Sequence, residues 1–102
     1  MFVVIHRMHV KTDRRQRFVA CWRTVAEALE EDCGGLGSRL HVADDGTYIA
    51  YSRWPDRETW ENCETPARYA AVNNTMHEAC ETMEVLYELE TVTDIPGFDG
   101  ET

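Results

Sequence analysis

The order in which hydrophobic periodicities follow one another most constrains how this chain can fold. The first stretch, FVVIHRMHVK (residues 2–11), alternates between two faces as a β-strand does, and one face is largely apolar. Residues 13–32 then repeat apolar side chains every three or four positions. This spacing predicts an amphipathic helix, which Thr12 or Asp13 can cap and which Gly34-Gly35 ends.

The second half of the chain repeats this succession behind a hairpin. Strands over 38–43 and 47–54 flank the turn Asp44-Asp45-Gly46, and Trp54-Pro55 leads directly into a short helix-like segment, DRETWENCE. Pro66 begins a further predicted helix, PARYAAVNNTMHEAC, and residues 83–91 form a last strand. This order predicts an α+β fold, the ferredoxin-like β-α-β-β-α-β plait, with a four-stranded antiparallel sheet and helices on one face. We expect residues 1–92 to form this domain and residues 93–102 a C-terminal tail.

Charge and composition bear on the partners of the chain. The formal net charge is −9, and no Lys or Arg follows Arg68, so phosphate backbones would repel the chain and we expect no nucleic-acid partner. The apolar start MFVVI is broken at His6-Arg7, well short of a membrane span, which predicts a cytoplasmic protein without a membrane partner.

The cysteines and glycines show no pattern typical of a bound cofactor. The four cysteines, at positions 21, 33, 63 and 80, have neither disulfide-framework nor zinc-ligand spacing, and we interpret them as reduced and mostly packed in the core. The sequence has no Gly-rich phosphate loop and no dinucleotide fingerprint. We therefore expect no cofactor and no metal.

A sheet covered by helices on one side leaves its other side open. Strict alternation in the last strand places Tyr87 and Leu89 toward the helices and Leu86 on the open side. The open side then carries apolar residues among charges of both signs: Val3, Ile5, Ile49, Tyr51 and Leu86. Such a surface predicts a homodimer that closes sheet against sheet.

Three stretches together resemble one known family. FVVIHRMHVK as first strand, SRLHVADDGTYIAYSRW as hairpin and PDRETWENCETP before the last helix resemble the antibiotic biosynthesis monooxygenase family of dimeric α+β barrels, over the chain to about Val92. The resemblance implies that Trp54-Pro55 is the hinge from the third strand into the helices that roof a pocket. The family includes enzymes that oxidise polycyclic phenols or quinols with oxygen and no cofactor, enzymes that degrade haem, and proteins of unassigned activity.

A cofactor-independent oxygenase needs a desolvated, aromatic-lined pocket and a base or donor that generates and holds a substrate anion. The resemblance places the first-strand residue His6 at the pocket, so His6 is predicted to act as the base or as an anion-stabilising donor, and Asn73 is predicted to steady the developing oxyanion. The predicted substrate is a small phenolic or quinol-type aromatic. Its predicted contacts are Met8, Trp22, Trp54, Trp60, Tyr69 and His77.

Other interpretations of the same residues remain open. His6 can also be a satisfied core histidine, and the tryptophans can be core residues. The chain is then a non-catalytic dimeric barrel that binds a small apolar molecule or helps to assemble a complex. A hydrogen-bonded His6 in a solvent-reachable cavity favours the enzyme, and a His6 sealed in a solid core favours the binding module.

Haem degradation is disfavoured. The haem-degrading subgroup carries an Asn on the first strand, a Trp in the short-helix region and a His on the last helix. At the corresponding positions this chain has His6, Cys63, and Asn73 or Asn74, so none of the three residues matches.

Overall fold

The computed structural model describes residues 1–95 and contains a four-stranded sheet. The helices and strands follow in the order β1 (Phe2–Val10), α1 (Arg15–Cys33), β2 (Ser38–Val42), β3 (Tyr48–Trp54), α2 (Arg57–Glu61), α3 (Ala70–Glu78) and β4 (Cys80–Glu90). The strands pair antiparallel in the order β2-β3-β1-β4, which confirms the predicted ferredoxin-like plait. Most of the predicted tail, from residue 96 on, lies outside the described residues, and the domain boundary at 92 stays a prediction.

One apolar face holds α1 against the sheet. Phe18, Val25 and Ala28 are buried on it, and Gly34 ends the helix in the left-handed conformation at φ 79°, with its N–H bonded to the carbonyl of Leu29. A single 3-10 turn, Thr12–Arg14, precedes the helix, and no side chain in the described part of the chain caps its N-terminus. The predicted cap at Thr12 or Asp13 is therefore wrong, and packing against the sheet must hold this end of the helix.

The core divides into two clusters on the helix-covered side of the sheet. One contains Met8, Phe18, Val25, Ala50 and Met76, and the other contains Phe2, Val4 and Trp54 with Leu29 and Trp60 packed against it. Both clusters draw on β1, whose alternate residues point toward the helices as predicted.

The strand β4 changes face midway along its pairing with β1. Tyr87 lies opposite Ile5, but Val85 lies opposite the next residue, His6, so Leu86 is an extra residue in a β-bulge. Beyond this bulge the side chains exchange faces, because strand side chains alternate with a period of two. The predicted alternation is thus wrong for the C-terminal half of β4: Tyr87 and Leu89, not Leu86, stand opposite Ile5 and Val3 on the open side. The strand also begins at Cys80 rather than Met83.

Two cysteines distant in sequence form a disulfide. Cys33 at the end of α1 is bonded to Cys63, just after α2, with Cα atoms 5.3 Å apart. The interpretation of all four cysteines as reduced is therefore wrong for this pair. Cys21 and Cys80 are free and half-buried. None of the helices within residues 1–95 is long and apolar enough to cross a membrane.

Candidate active site

A cavity of about 260 Å³ lies between the helix-covered face of the sheet and the three helices. Its position follows from residue size along β3. The large residues Tyr48 and Trp54 occupy the ends of that face of β3, and the small residues Ala50 and Ser52 lie between them. Ala50 stands beside His6 of β1, so the sheet leaves space in front of the imidazole.

His6 presents its imidazole to this cavity. Burial lowers the pKa of His6 below its ordinary value of 6.5, because a charged ring is poorly solvated there. Its ring makes no hydrogen bond to any other residue in the described range 1–95, and no buried side-chain nitrogen or oxygen in that range lacks a partner. The unpaired ring nitrogens of His6 are therefore not fully buried, and a molecule bound in the cavity can reach them. The solvent-reachable cavity that would favour an enzymatic function is therefore present. The hydrogen bond to His6 that would also favour this function is not made by any of residues 1–95.

Three tryptophans contribute to the cavity wall from three different elements. Trp22 comes from α1, Trp54 from the end of β3, and Trp60 from α2, where its ring centroid lies 5.7 Å from that of Phe2. The Trp54 indole N–H donates to the Ser52 hydroxyl at 3.2 Å, which in turn donates to the Val4 carbonyl at 3.3 Å. Trp54 therefore offers an apolar ring surface, because its one polar atom is already paired.

The helix α3 supplies the polar groups on the opposite wall. Asn73 and His77 are one helical turn apart, and both line the cavity, whereas Asn74 is exposed outside it. The side-chain amide of Asn73 makes no hydrogen bond to any other residue within 1–95. His77 is exposed, which places it toward the solvent side of the wall.

Seven of the eight predicted site residues share this one cavity: His6, Met8, Trp22, Trp54, Trp60, Asn73 and His77. Tyr69 does not line it. That side chain lies in the turn before α3, with the guanidinium of Arg68 5.0 Å from its ring centroid. The turn is 3-10, so Tyr69 does not follow the helical spacing from which its position was predicted.

Several lining residues were missed by sequence reasoning, chief among them Leu29, Ser52, Met76 and Met83. Ser52 had a detectable signal, since alternation along β3 places it on the same strand face as Trp54, whereas the position of Met83 opposite Met8 follows only from the register. Glu30 and Thr65 also line the cavity and had no such signal. Among residues 1–95 there is no group of three or more His, Cys, Asp or Glu side chains placed to hold a metal ion.

The family model for antibiotic biosynthesis monooxygenases matches residues 1–74, which is most of the chain. This chain belongs to the antibiotic biosynthesis monooxygenase family. The resemblance proposed from the sequence is thereby confirmed, and membership supports a monooxygenase-type function at the level of the family. No curated protein matches the chain significantly.

Several solved structures share the fold of this chain at low sequence identity. SnoaB, a cofactor-independent oxygenase from Streptomyces nogalater, superposes with a TM-score of 0.77 at 13% identity, over 93% of this chain and 96% of SnoaB. A structure described as an antibiotic biosynthesis monooxygenase gives a TM-score of 0.72 at 16% identity, over 91% and 100% of the two chains. Rv0793 from Mycobacterium tuberculosis gives 0.68 at 18% identity, over 90% and 98%. At these identities the comparisons establish the fold.

Proposed function

We propose that this chain is a cofactor-independent monooxygenase that oxidises a small phenolic or quinol-type aromatic with molecular oxygen. The observation that carries the proposal is His6: an imidazole without a protein partner in residues 1–95, on an otherwise apolar strand face, opening into an aromatic-lined cavity. Family membership and the fold shared with SnoaB support the same class of reaction.

His6 acts as the base in this proposal. Because burial lowers the pKa of His6, the imidazole is mainly neutral at pH 7 and has a lone pair available for the acidic proton of the substrate. The imidazolium that forms is then stabilised by the substrate anion beside it, since opposite charges attract strongly in a desolvated cavity.

The anion supplies the electrons for the reaction with oxygen. One electron passes from the anion to oxygen, the radical and superoxide combine, and the peroxide that results loses water. The substrate gains one oxygen atom and loses two hydrogens, and the second oxygen atom leaves as water. No external reductant is needed, so the protein has only to make the anion, hold it and exclude bulk water.

The opposite wall holds the developing negative charge. The side-chain amide of Asn73, which has no partner within residues 1–95, can donate a hydrogen bond to the substrate oxygen that becomes an oxyanion while His6 acts from the sheet. Met8, Trp22, Trp54 and Trp60 enclose the aromatic rings and lower the local dielectric. His77, one turn from Asn73, contacts the substrate where it meets solvent.

The same proposal includes a homodimer formed through the open side of the sheet. Tyr87 is 60% exposed and Leu89 42% exposed, on the side that also carries Ile5 and Ile49. Arg7 of β1 pairs with Glu84 of β4 on this surface, its Nε lying 2.8 Å from Glu84 Oε1, so charge is partly neutralised among the apolar groups. Burying such a surface against a second copy removes apolar area from water.

A non-catalytic binding module is the second candidate. It is favoured by one observation: no residue within 1–95 hydrogen-bonds to His6 and orients its ring, whereas positioned catalytic bases usually have such a partner. In that case the cavity would bind a small apolar molecule without oxidising it.

Oxygen consumption by the purified protein tests the proposal. A panel of hydroquinones and anthrones is screened under isotopically labelled oxygen gas, with a haem titration alongside. The expected result is oxygen uptake equal to substrate consumed, with one labelled atom in the product and no added flavin or metal. Binding of the same aromatics without oxygen uptake would support the non-catalytic binding module. Tight haem binding with haem turnover would exclude both the cofactor-independent monooxygenase and the binding module.

A further inference from the structure

One wall of the cavity is joined to the surrounding strands and helices by no backbone hydrogen bond within residues 1–95. We call residues 55–65 the wall segment; its residues Trp60, Cys63 and Thr65 line the cavity. Its backbone hydrogen bonds are internal, donated by the N–H groups of Trp60, Asn62 and Cys63 to carbonyls earlier in the segment. Within residues 1–95 no backbone-to-backbone hydrogen bond joins it to a neighbouring strand or helix. Side chains therefore hold the wall segment in place.

The two halves of the wall segment are held differently. In the first half, the Arg57 guanidinium pairs with Glu88 of β4 and lies 4.6 Å from the ring centroid of Phe2, and Trp60 also packs on Phe2. In the second half, the disulfide from Cys63 to Cys33 joins the segment to the end of α1. Arg68, just beyond the segment, pairs with Asp32 at 2.6 Å, but this ion pair is solvent-exposed and contributes little.

The disulfide is open to attack by a thiol. Both of its cysteines are only half-buried, and Cys63 lines the cavity. Both cysteines lie at a helix C-terminus, but Cys33 ends the 19-residue α1, whose dipole disfavours a thiolate more than that of the 5-residue α2 before Cys63. Cys63 is therefore the better leaving group, and attack falls on Cys33. After reduction, the Cys33 thiol can donate a hydrogen bond to the carbonyl oxygen of Glu64, which lies 3.6 Å from the Cys33 sulfur.

We propose that Cys33 and Cys63 are a reversible redox site, reduced by a dithiol of the thioredoxin class, that controls whether the wall segment closes the cavity. The dithiol attacks Cys33, a mixed disulfide forms, and its second thiol displaces Cys33. The protein gains two electrons and two protons as two thiols, and the dithiol becomes a disulfide. The regulatory part rests on the proposed function, because it assumes that this cavity is where the substrate binds. A reversible bridge also agrees with the predicted cytoplasmic location, where lasting disulfides are rare.

Amide hydrogen exchange of the full chain, oxidised and then reduced with dithiothreitol, tests this proposal without any turnover. On reduction, exchange in residues 57–65 is expected to rise about tenfold or more, while exchange in β1 stays unchanged. The fluorescent probe 1-anilinonaphthalene-8-sulfonate is expected to bind the oxidised protein at least about threefold more tightly, because reduction lowers the closed fraction. A Cys33→Ser/Cys63→Ser variant should match the reduced protein and ignore dithiothreitol. A Cys21→Ser variant, which keeps the bridge, should respond as the unmutated chain does.

Three results would overturn the proposal. The first is a disulfide, shown intact by mass under oxidising conditions and cleaved by dithiothreitol, whose loss leaves exchange in residues 57–65 unchanged. The second is a bridge that neither dithiothreitol nor a thioredoxin-class dithiol reduces in the folded protein. The third is a pair that stays reduced in an oxidising glutathione buffer. None of these depends on oxygenase activity, so failure of the redox site and failure of the proposed function can be distinguished.

Discussion

Reducing the Cys33–Cys63 bridge should lower the free energy of unfolding by an amount that follows from its position in the chain. The bridge joins residues 30 positions apart. Closing a loop of that length removes about 12 cal/mol/K of entropy from the unfolded chain, which is about 3.6 kcal/mol at 25 °C. With an unfolding entropy of about 2.1 cal/mol/K per residue, the same loss lowers the Tm of the chain by about 17 °C.

Urea unfolding of one protein preparation, with and without dithiothreitol, measures this directly. Comparing redox states avoids the packing change that a substitution makes, since both cysteines pack against the cluster around Phe2 and Trp54. The matched control is the Cys33→Ser/Cys63→Ser variant, which keeps Cys21 and Cys80 and should be insensitive to the reductant. A loss below about 1 kcal/mol in the unmutated chain would refute the loop-entropy reasoning.

Three further predictions concern the core, the dimer and the base. Phe18→Ala should cost about 3–5 kcal/mol in urea unfolding, since Phe18 is 0% exposed and its removal leaves a cavity; a loss below about 1 kcal/mol would contradict the placement of this ring. Tyr87→Glu should convert a dimer into a monomer by light scattering, whereas Val19→Glu, at an exposed apolar site on α1, should not; an unmutated chain that is already monomeric would contradict the dimer. The acid limb of kcat/KM should have its midpoint below pH 6.5, because burial lowers the pKa of His6 and only the neutral ring accepts a proton; a midpoint above 6.5 would exclude His6 as that base.

The elements that were predictable from sequence are those whose patterns are local. The alternation in β1 and the three-to-four spacing in α1 report which side of each element is buried, and both were confirmed by Met8, Phe18 and Val25. The turn around Gly46 was likewise encoded within a few residues, and its φ of 88° is one that glycine adopts readily.

Features that depend on long-range pairing were not predictable. The bulge at Leu86 arises from how β4 matches β1, and nothing within residues 83–91 marks an extra residue there. The disulfide requires Cys33 and Cys63 to meet after α1 and α2 have packed, so sequence spacing gave no sign of it. The cavity exists because the small residue Ala50 on β3 lies beside His6 on the neighbouring strand β1. Only the register of these two strands reveals this pairing.

The proposed role of His6 as the base is tested by comparing turnover by two histidine variants of the same strand. His6→Gln keeps a side chain of similar size in the cavity but cannot act as a base near neutral pH. His9→Gln changes an exposed residue on the opposite face, where its ring bonds to the Thr82 hydroxyl at 2.7 Å. With a substrate found by oxygen uptake, and with the fold of each variant checked by urea unfolding, His6→Gln is expected to lower kcat by about 10²-fold or more, while His9→Gln is expected to stay within about twofold of the unmutated chain. Equal turnover by His6→Gln and the unmutated protein would exclude His6 as the base.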